Sequence, residues 1–240
     1  MHHHVDFKSY DHYIGEHNEA KPKVMVQKLL DMMHEDGVEN AGACIDLGCA
    51  SGEMLHFIRR DFPQMELAGI DLFDEFIQEA KARHPDIDFR TESALDLPTD
   101  MSGKYDVTTA FGLMSLFDET EISTFWDNVL RITKPGGLIY VLSPVNEYGV
   151  DMMIRHRKRI QKKLTDWESA WNIHSQETIR ELLASKGQEV EFRPFQITMQ
   201  LEPKEDPLRT WTMKTEKNDL QLTNGMKLLV NHYYMVVRKA

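Results

Sequence analysis

Two stretches of the chain carry glycines and carboxylates at the spacing of a nucleotide-binding corner. Small and apolar residues over 43–47 include Asp46 and lead into a loop bracketed by Gly48 and Gly52, which precedes apolar residues at helical spacing. A buried strand, a glycine loop and a helix start, in that order, suit a ligand with an anionic end. Glycine lets the backbone approach such a ligand, and the first helical N–H groups face it. The predicted chemistry is therefore the binding of a nucleotide-like molecule.

The loop Gly48-Cys49-Ala50-Ser51-Gly52 also indicates which nucleotide fits. A dinucleotide fingerprint, G-x-G-x-x-G, needs its second glycine to make room for a pyrophosphate. Ala50 has a methyl group at that position, so the loop favours a ligand without pyrophosphate. Asp71 ends the next strand, 19 residues past Gly52, where a carboxylate would accept hydrogen bonds from ribose hydroxyls.

Alternating strand and helix patterns would position this corner. Strands are predicted over 43–47, 65–71, 87–90, 105–111 and 138–142, with helices between them. Such alternation implies a parallel sheet with right-handed crossovers and helices on both faces. Further strands are predicted over 190–201 and 226–237, with a small hairpin of 210–215 and 220–223 and a turn at Asn224-Gly225 before the last strand.

Asp46-Leu47-Gly48-x-x-x-Gly52, with Asp71 in register, resembles the first motifs of class I S-adenosylmethionine (SAM)-dependent methyltransferases. The resemblance covers roughly residues 40–145. It implies an α/β fold: a doubly wound, mainly parallel seven-stranded sheet with helices on both faces and a C-terminal antiparallel hairpin. Residues 1–240 would then form one methyltransferase domain. The expected additions are an N-terminal helical cap (5–36), a lid-like helical insertion (146–174) and a β insertion (202–225).

The resemblance also implies SAM as cofactor and assigns its binding residues. Asp46 would orient the ammonium group, while Gly48, Cys49, Ala50 and Gly52 would offer backbone to the methionine part. Asp71 would bind the ribose and Leu72 would pack on the adenine. The other expected contacts are the adenine-edge segment Ser93, Ala94 and Leu95, and the floor beneath the sulfonium, Phe111, Gly112 and Leu113.

Methyl transfer of this kind needs neither a covalent intermediate nor a metal, and a general base is dispensable for several acceptors. Accordingly no catalytic residue is assigned. The eleven histidines show no metal-ligand spacing, so no metal site is predicted. Cys44 and Cys49 are expected to be buried small residues.

The methyl acceptor is less clearly marked. Met153, Ile160, Leu164, Trp167 and Trp171 are spaced like a helical stripe, and Arg157 would lie on it within the basic run 155–163. An arginine there must reach solvent or find an anion, so Arg157 is predicted to clamp an anionic acceptor. Further candidates for acceptor binding are Tyr13, Asn146 and Tyr148.

The composition of the chain indicates which kinds of partner and which cellular compartment suit the protein. The chain has 28 basic and 39 acidic residues, a net charge of −11, which argues against general nucleic-acid binding. The sequence has no run of about 18 apolar residues, so no membrane span is predicted. Two cysteines fit a cytoplasmic setting.

The favoured function is methylation of an oxygen or nitrogen of a small molecule, with an anionic metabolite, a sugar or a natural-product intermediate as candidates. The alternatives are an RNA or protein methyltransferase, a nonenzymatic SAM-binding protein and, disfavoured by Ala50, an NAD(P)-dependent oxidoreductase. The oligomeric state is not predicted.

Overall fold

The alternating patterns of the sequence form helices and strands in chain order. A computed structural model describes residues 19–160, 162–216 and 219–240. Its helices are α1 (Val24–Glu35), α2 (Glu53–Asp61), α3 (Asp74–Arg83), α4 (Ile122–Ile132) and α5 (Gln176–Ser185). Its first strands are β1 (Ala43–Leu47), β2 (Glu66–Asp71), β3 (Asp88–Thr91), β4 (Tyr105–Phe111) and β5 (Thr133–Asn146). The later strands are β6 (Arg155–His156), β7 (Arg159–Ile160), β8 (Lys163–Leu164), β9 (Glu168–Ser169), β10 (His174–Ser175), β11 (Glu191–Phe195), β12 (Trp211–Lys214), β13 (Leu220–Thr223) and β14 (His232–Arg238).

The main sheet has the order β11-β14-β5-β4-β1-β2-β3. Strands β1 to β5 are parallel, whereas β14 is antiparallel to both β5 and β11. The predicted doubly wound sheet with a C-terminal antiparallel pair is confirmed. The strand order reverses between β1 and β4, and ligands of open α/β sheets bind beside the carboxyl ends of the strands at such a point.

Both faces of the sheet are covered by helices, because successive strand residues point to opposite sides. In β5, Leu138 and Tyr140 pack in one apolar cluster with residues of α1, α2 and α3. Ile139 and Val141 pack in the other cluster, with α4 and α5. The predicted buried stripe of α4 is confirmed at every position: Ile122, Phe125, Trp126, Val129 and Ile132.

Three strands differ from their predicted ranges by several residues. Strand β5 spans Thr133–Asn146 rather than 138–142, because it pairs with β4 and β14 beyond the apolar segment. Strand β11 ends at Phe195 instead of 201, opposite His232, where β14 begins. Residues 226–231 are not part of β14. The Asn224 side chain accepts a hydrogen bond from Met226 N and closes a turn there.

The helical insertion predicted for 146–174 is wrong. Apart from residue 161, which is not described, this range holds short strand pairs, β6 with β9 and β7 with β8. Met153, Leu164 and Trp167 of the supposed stripe are exposed. A helix would have placed the cations of 155–163 three and four residues apart on one surface, where like charges repel.

The segments 146–173 and 196–231 pack against each other. Ile173, Leu222 and Val230 form a third buried cluster, and Lys158 Nζ lies 2.6 Å from Asp206 Oδ2. The hairpin predicted near residues 210–223 is present as β12 and β13. Of the predicted N-terminal cap, residues 5–18 lie outside the described residues, and α1 covers one face of the sheet.

Candidate functional site

The loop after β1 adopts the left-handed backbone that its glycines permit. Gly48 has φ +73°, Gly52 has φ +82°, and Ala50, which pays a steric penalty there, has φ +46°. Gly48 N and Cys49 N donate to Ile70 O at 2.8 and 2.9 Å, which fixes the loop against β2. Strained backbone of this kind concentrates at functional sites.

The Asp71 carboxylate braces the same loop. Its oxygens accept hydrogen bonds from Ala50 N at 3.0 Å and from Phe73 N at 3.1 Å. Burial raises the pKa of Asp71, and backbone N–H groups oppose that rise. A carboxylate has about four acceptor positions, so Asp71 can also accept from a hydroxyl donor of a ligand. Leu72 beside it is 62 % exposed, an apolar surface available to a flat ring.

Asp46 is a buried carboxyl group beneath the loop. Thr109 Oγ1 donates to Asp46 Oδ1 at 2.8 Å. Burial raises the pKa of Asp46 to about 8, and the charge of Asp71 acts in the same direction, whereas the Thr109 hydroxyl opposes it. A ligand cation near Asp46 would favour the ionised carboxylate.

The loops after β3 and β4 lie at the same edge of the sheet. Glu92 N donates to Asp71 O at 3.0 Å, which places Ser93 next to the end of β2. Ser93 Oγ accepts from Leu95 N at 3.2 Å and keeps its hydroxyl proton to donate.

The loop after β4 reaches the glycine loop directly. A Cβ added to Gly48 would lie 3.5 Å from Leu113 Cδ1. The structure therefore gathers the residues predicted for cofactor binding at one edge: Asp46, Gly48, Cys49, Ala50, Gly52, Asp71, Leu72, Ser93, Ala94, Leu95, Phe111, Gly112 and Leu113.

The residues predicted for acceptor binding are not gathered in the same way. Asn146 ends β5, and its Oδ1 accepts from Tyr148 N at 2.8 Å, while the Tyr148 side chain is 83 % exposed. The Arg157 guanidinium lies 5.0 Å from the centre of the Trp167 ring, and both side chains are exposed and belong to the connections between the short strands. The described residues between 153 and 171 form no helix, so the stripe on which the Arg157 prediction rested is not found there. Tyr13 lies outside the described residues.

Asn172 is a connecting residue that the sequence did not reveal. Its side chain accepts from Ile154 N at 2.9 Å and donates to Phe117 O at 3.0 Å. Its own backbone N donates to Ser115 O at 2.8 Å. Asn172 is 1 % exposed, so it joins the 146–173 segment firmly to the loop after β4. A single asparagine between Trp171 and Ile173 gives no local signal of this role.

A shallow cavity of about 500 Å³, wide open to solvent, lies between the two packed segments. Its lining residues are Met152, Met153, Ile154, Arg155, His156, Met226 and Leu228. His156 is buried, and among the described residues neither nitrogen of its ring has a hydrogen-bond partner. Burial, followed by the charge of Lys158, lowers the pKa of His156, so a neutral imidazole lines an apolar cavity.

Comparisons with known proteins agree with this geometry. Residues 44–137 match the family model described as a methyltransferase domain. Trans-aconitate 2-methyltransferase of Rhizobium meliloti is 31 % identical over 107 residues, which is 44 % of this chain and 40 % of that protein. The secondary metabolism regulator laeA of Coprinopsis cinerea is 25 % identical over 143 residues, 58 % of this chain and 34 % of that protein. The chain thus spans about two fifths or less of the length of these curated relatives.

Among solved structures, a SAM-dependent methyltransferase of Methanosarcina mazei superposes with a TM-score of 0.60 at 16 % identity, covering 87 % of this chain and 96 % of that chain. At this identity the likeness shows the fold, a doubly wound sheet with a C-terminal antiparallel pair. The segment 44–137, which contains the glycine loop and Asp71, is the part of the chain that is similar to a methyltransferase domain. The name of the Methanosarcina mazei protein identifies SAM as the methyl donor of that protein.

Proposed function

We propose that this protein transfers a methyl group from SAM to an oxygen or nitrogen of a small molecule. The observation that carries the proposal is the edge formed by the loops after β1 and β2. There a left-handed glycine loop, the buried Asp71 and the exposed Leu72 meet. These features fit a nucleoside with a charged aminoacyl tail, since they offer backbone N–H groups, a carboxylate and an apolar surface side by side.

The residues of the corner would divide the cofactor between them. Asp71 accepts the ribose hydroxyls, and Leu72 packs on the adenine, whose edge Ser93 contacts. Asp46 would hold the ammonium end, because its buried carboxyl ionises most readily beside a cation. The residues Phe111, Gly112 and Leu113 form the floor, because Leu113 lies against Gly48.

When bound, SAM supplies a methyl group already activated by positive sulfur. The work left to the protein is alignment of the acceptor and exclusion of water, and alignment alone is worth on the order of 7–11 kcal/mol. Asn172 contributes by holding Ile154, in the wall of the cavity, to the loop after β4. We therefore place the acceptor in the cavity between 152–156 and 226–228. His156 provides a neutral hydrogen-bonding group there for an acceptor hydroxyl or amine.

The acceptor is proposed to be small, with an anionic metabolite favoured. A relative named for trans-aconitate, a carboxylate, supports this choice. Arg157 remains the proposed contact for the anion, with its guanidinium exposed above Trp167. Asn146 and Tyr148, at the end of β5, are proposed as further contacts of the acceptor.

The two buried free cysteines suit the proposed cytoplasmic location. Within the described residues no helix is long and apolar enough to cross a bilayer.

The deciding experiment incubates the protein with methyl-labelled SAM and a cell extract, then identifies the labelled product by mass spectrometry. The wild-type protein should transfer the label to a small molecule, and the Asp71→Asn variant should transfer little. Arg157→Ala should raise the KM for an anionic acceptor with little change in SAM affinity. Absence of SAM binding by calorimetry in a folded sample would refute the proposal.

One alternative has support of its own. The relative named as a regulator of secondary metabolism favours a SAM-binding regulatory protein. SAM binding without a labelled product in any fraction would select that function.

Label in RNA or protein, lost steeply with added salt, would instead select a macromolecular acceptor held by the exposed cations of 155–163.

A further inference from the structure

Three side chains from separate parts of the chain meet beside the cofactor corner. Glu19 precedes α1, His56 lies on α2, and His84 follows the last residue of α3. Glu19 Oε2 is 4.0 Å from His56 Nδ1, and Glu19 Oε1 is 3.7 Å from His84 Nε2. One donor atom from each residue lies within 4.8 Å of the other two. The described residues therefore bring two imidazoles and one carboxylate to a common point.

This donor set has the composition of a transition-metal site. Imidazole nitrogen and carboxylate oxygen both bind Zn²⁺ at about 2.0–2.2 Å, so the donors around a tetrahedral ion are about 3.3–3.6 Å apart. The distances from the Glu19 oxygens to His84 Nε2 and His56 Nδ1, 3.7 and 4.0 Å, exceed that range only slightly. Small side-chain rotations bring the three donors onto one ion, and three protein ligands leave a fourth position for water.

Rigid elements hold the two histidines. The rings of His56 and His84 have centroids 5.6 Å apart, and His84 N donates to Ala80 O at the end of α3. The His84 side chain is 8 % exposed, whereas those of His56 and Glu19 are 31 % and 41 % exposed. One ligand is thus buried and fixed, while the other two leave a path for the ion to enter.

The cluster touches the turn that starts α2. A Cβ added to Gly52 would lie 3.0 Å from His84 Cδ2, so the His84 ring packs directly against the glycine loop. An ion bound here would tie the chain at residue 19 to α2 and to the end of α3. We propose that Glu19, His56 and His84 bind one divalent transition-metal ion, which clamps the outer side of the cofactor corner.

The spacing of these residues explains why the sequence predicts no metal site. The ligands are 37 and 28 residues apart in the chain and follow no short motif. Only the packing of α2 beside the β2–α3–β3 unit brings them together.

The test is titration of the full-length chain with Zn²⁺ by calorimetry and with Co²⁺ by visible absorption. His2, His3 and His4 are replaced by Ser throughout, because adjacent histidines bind these ions on their own. One equivalent should bind, with Co²⁺ giving the absorption bands of a low-coordinate site. His56→Gln and His84→Gln should each weaken binding at least tenfold. Zn²⁺ should raise the unfolding temperature of the parent protein but not of these two variants.

His34→Gln is the matched control. His34 Nδ1 lies 3.3 Å from Glu39 Oε1, a histidine–carboxylate pair that does not belong to the cluster, so its loss should leave Zn²⁺ affinity unchanged. Circular dichroism checks that each variant is folded. The proposal is overturned if no ion binds, or if folded His56→Gln and His84→Gln proteins bind Zn²⁺ as tightly as the parent. Neither readout involves SAM, so the result is independent of the proposed methyl transfer.

Discussion

Asp71 has two tasks at the residue scale, because the carboxylate that would bind ribose also accepts Ala50 N. Asp71→Asn keeps the shape but removes the charge, and hydrogen bonds to charged groups contribute about 1.5–3 kcal/mol each. We expect SAM affinity, measured by calorimetry, to fall tenfold or more. Asp74→Asn, an exposed change on α3, should leave the affinity unaltered. Equal affinities in Asp71→Asn and wild type would remove Asp71 from the site.

Asp46 predicts a pH dependence of stability. Its pKa in the folded protein is about 8, while an unfolded aspartate has a pKa of about 3.9. The unfolded chain therefore binds fewer protons over this interval, and stability must fall as pH rises from about 4 to about 8. Asp46→Asn lacks this contribution. Denaturant unfolding at pH 5 to 8 should show wild type losing stability relative to Asp46→Asn, by at most about 1.4 kcal/mol per pH unit. Parallel curves would contradict the raised pKa.

At the scale of elements, Asn172 couples the cavity wall to the loop after β4. Asn172→Ala leaves Ile154 N without its partner, whereas Phe117 O keeps its contact with His174 Nε2 at 3.2 Å. A buried unpaired group costs about 1–3 kcal/mol. We expect urea unfolding to show a stability loss of that order. The KM for the acceptor should rise more than the Kd for SAM. Asn40→Ala, in an exposed turn, is the control. An unchanged acceptor KM in a folded Asn172→Ala protein would separate the cavity from the site.

The elements differ in how far the sequence determines them. Strand β1, the end of β2 and the stripe of α4 follow local patterns, and their predictions are confirmed. In 146–174 five apolar residues matched a helical period by coincidence, and repulsion among neighbouring cations and pairing between short strands decided the structure instead.

The same limit applies to individual contacts. Gly48 belongs to a short continuous motif, and Asp71 ends the next strand at a fixed distance from it. The positions of both residues could therefore be predicted. The contacts of Asn172 with Phe117, and of His56 with His84, join residues far apart in the chain. No local pattern encodes such contacts.

At the scale of the whole molecule, Asp36 joins distant parts of the fold. It follows α1 and accepts two hydrogen bonds from Arg193 of β11, at 2.8 and 2.9 Å, and one from Tyr140 of β5 at 2.8 Å. Burial raises the pKa of Asp36, but the hydrogen bonds from Arg193 and Tyr140 outweigh it, and the pKa is lowered.

A lowered pKa means that Asp36 stabilises the fold above about pH 4 and loses that effect as pH falls through its folded value. Asp36→Asn should therefore be less stable than wild type at pH 7, and the difference should shrink on acidification below pH 4. Thermal unfolding across pH 3 to 7 measures this. Asp31→Asn, an exposed change on the same helix, should follow wild type. A difference that stays constant with pH would exclude Asp36 as its source.

The residues proposed to bind the methyl donor and those that line the cavity lie in separate parts of the sequence, which has a practical consequence for engineering. Residues proposed for the methyl donor end at Leu113, whereas the cavity wall comes from 152–156 and 226–228. A combinatorial library confined to the seven residues that line the cavity would sample new substrates while every member kept the same donor chemistry. Selectivity in this scaffold can thus be evolved as a separate trait.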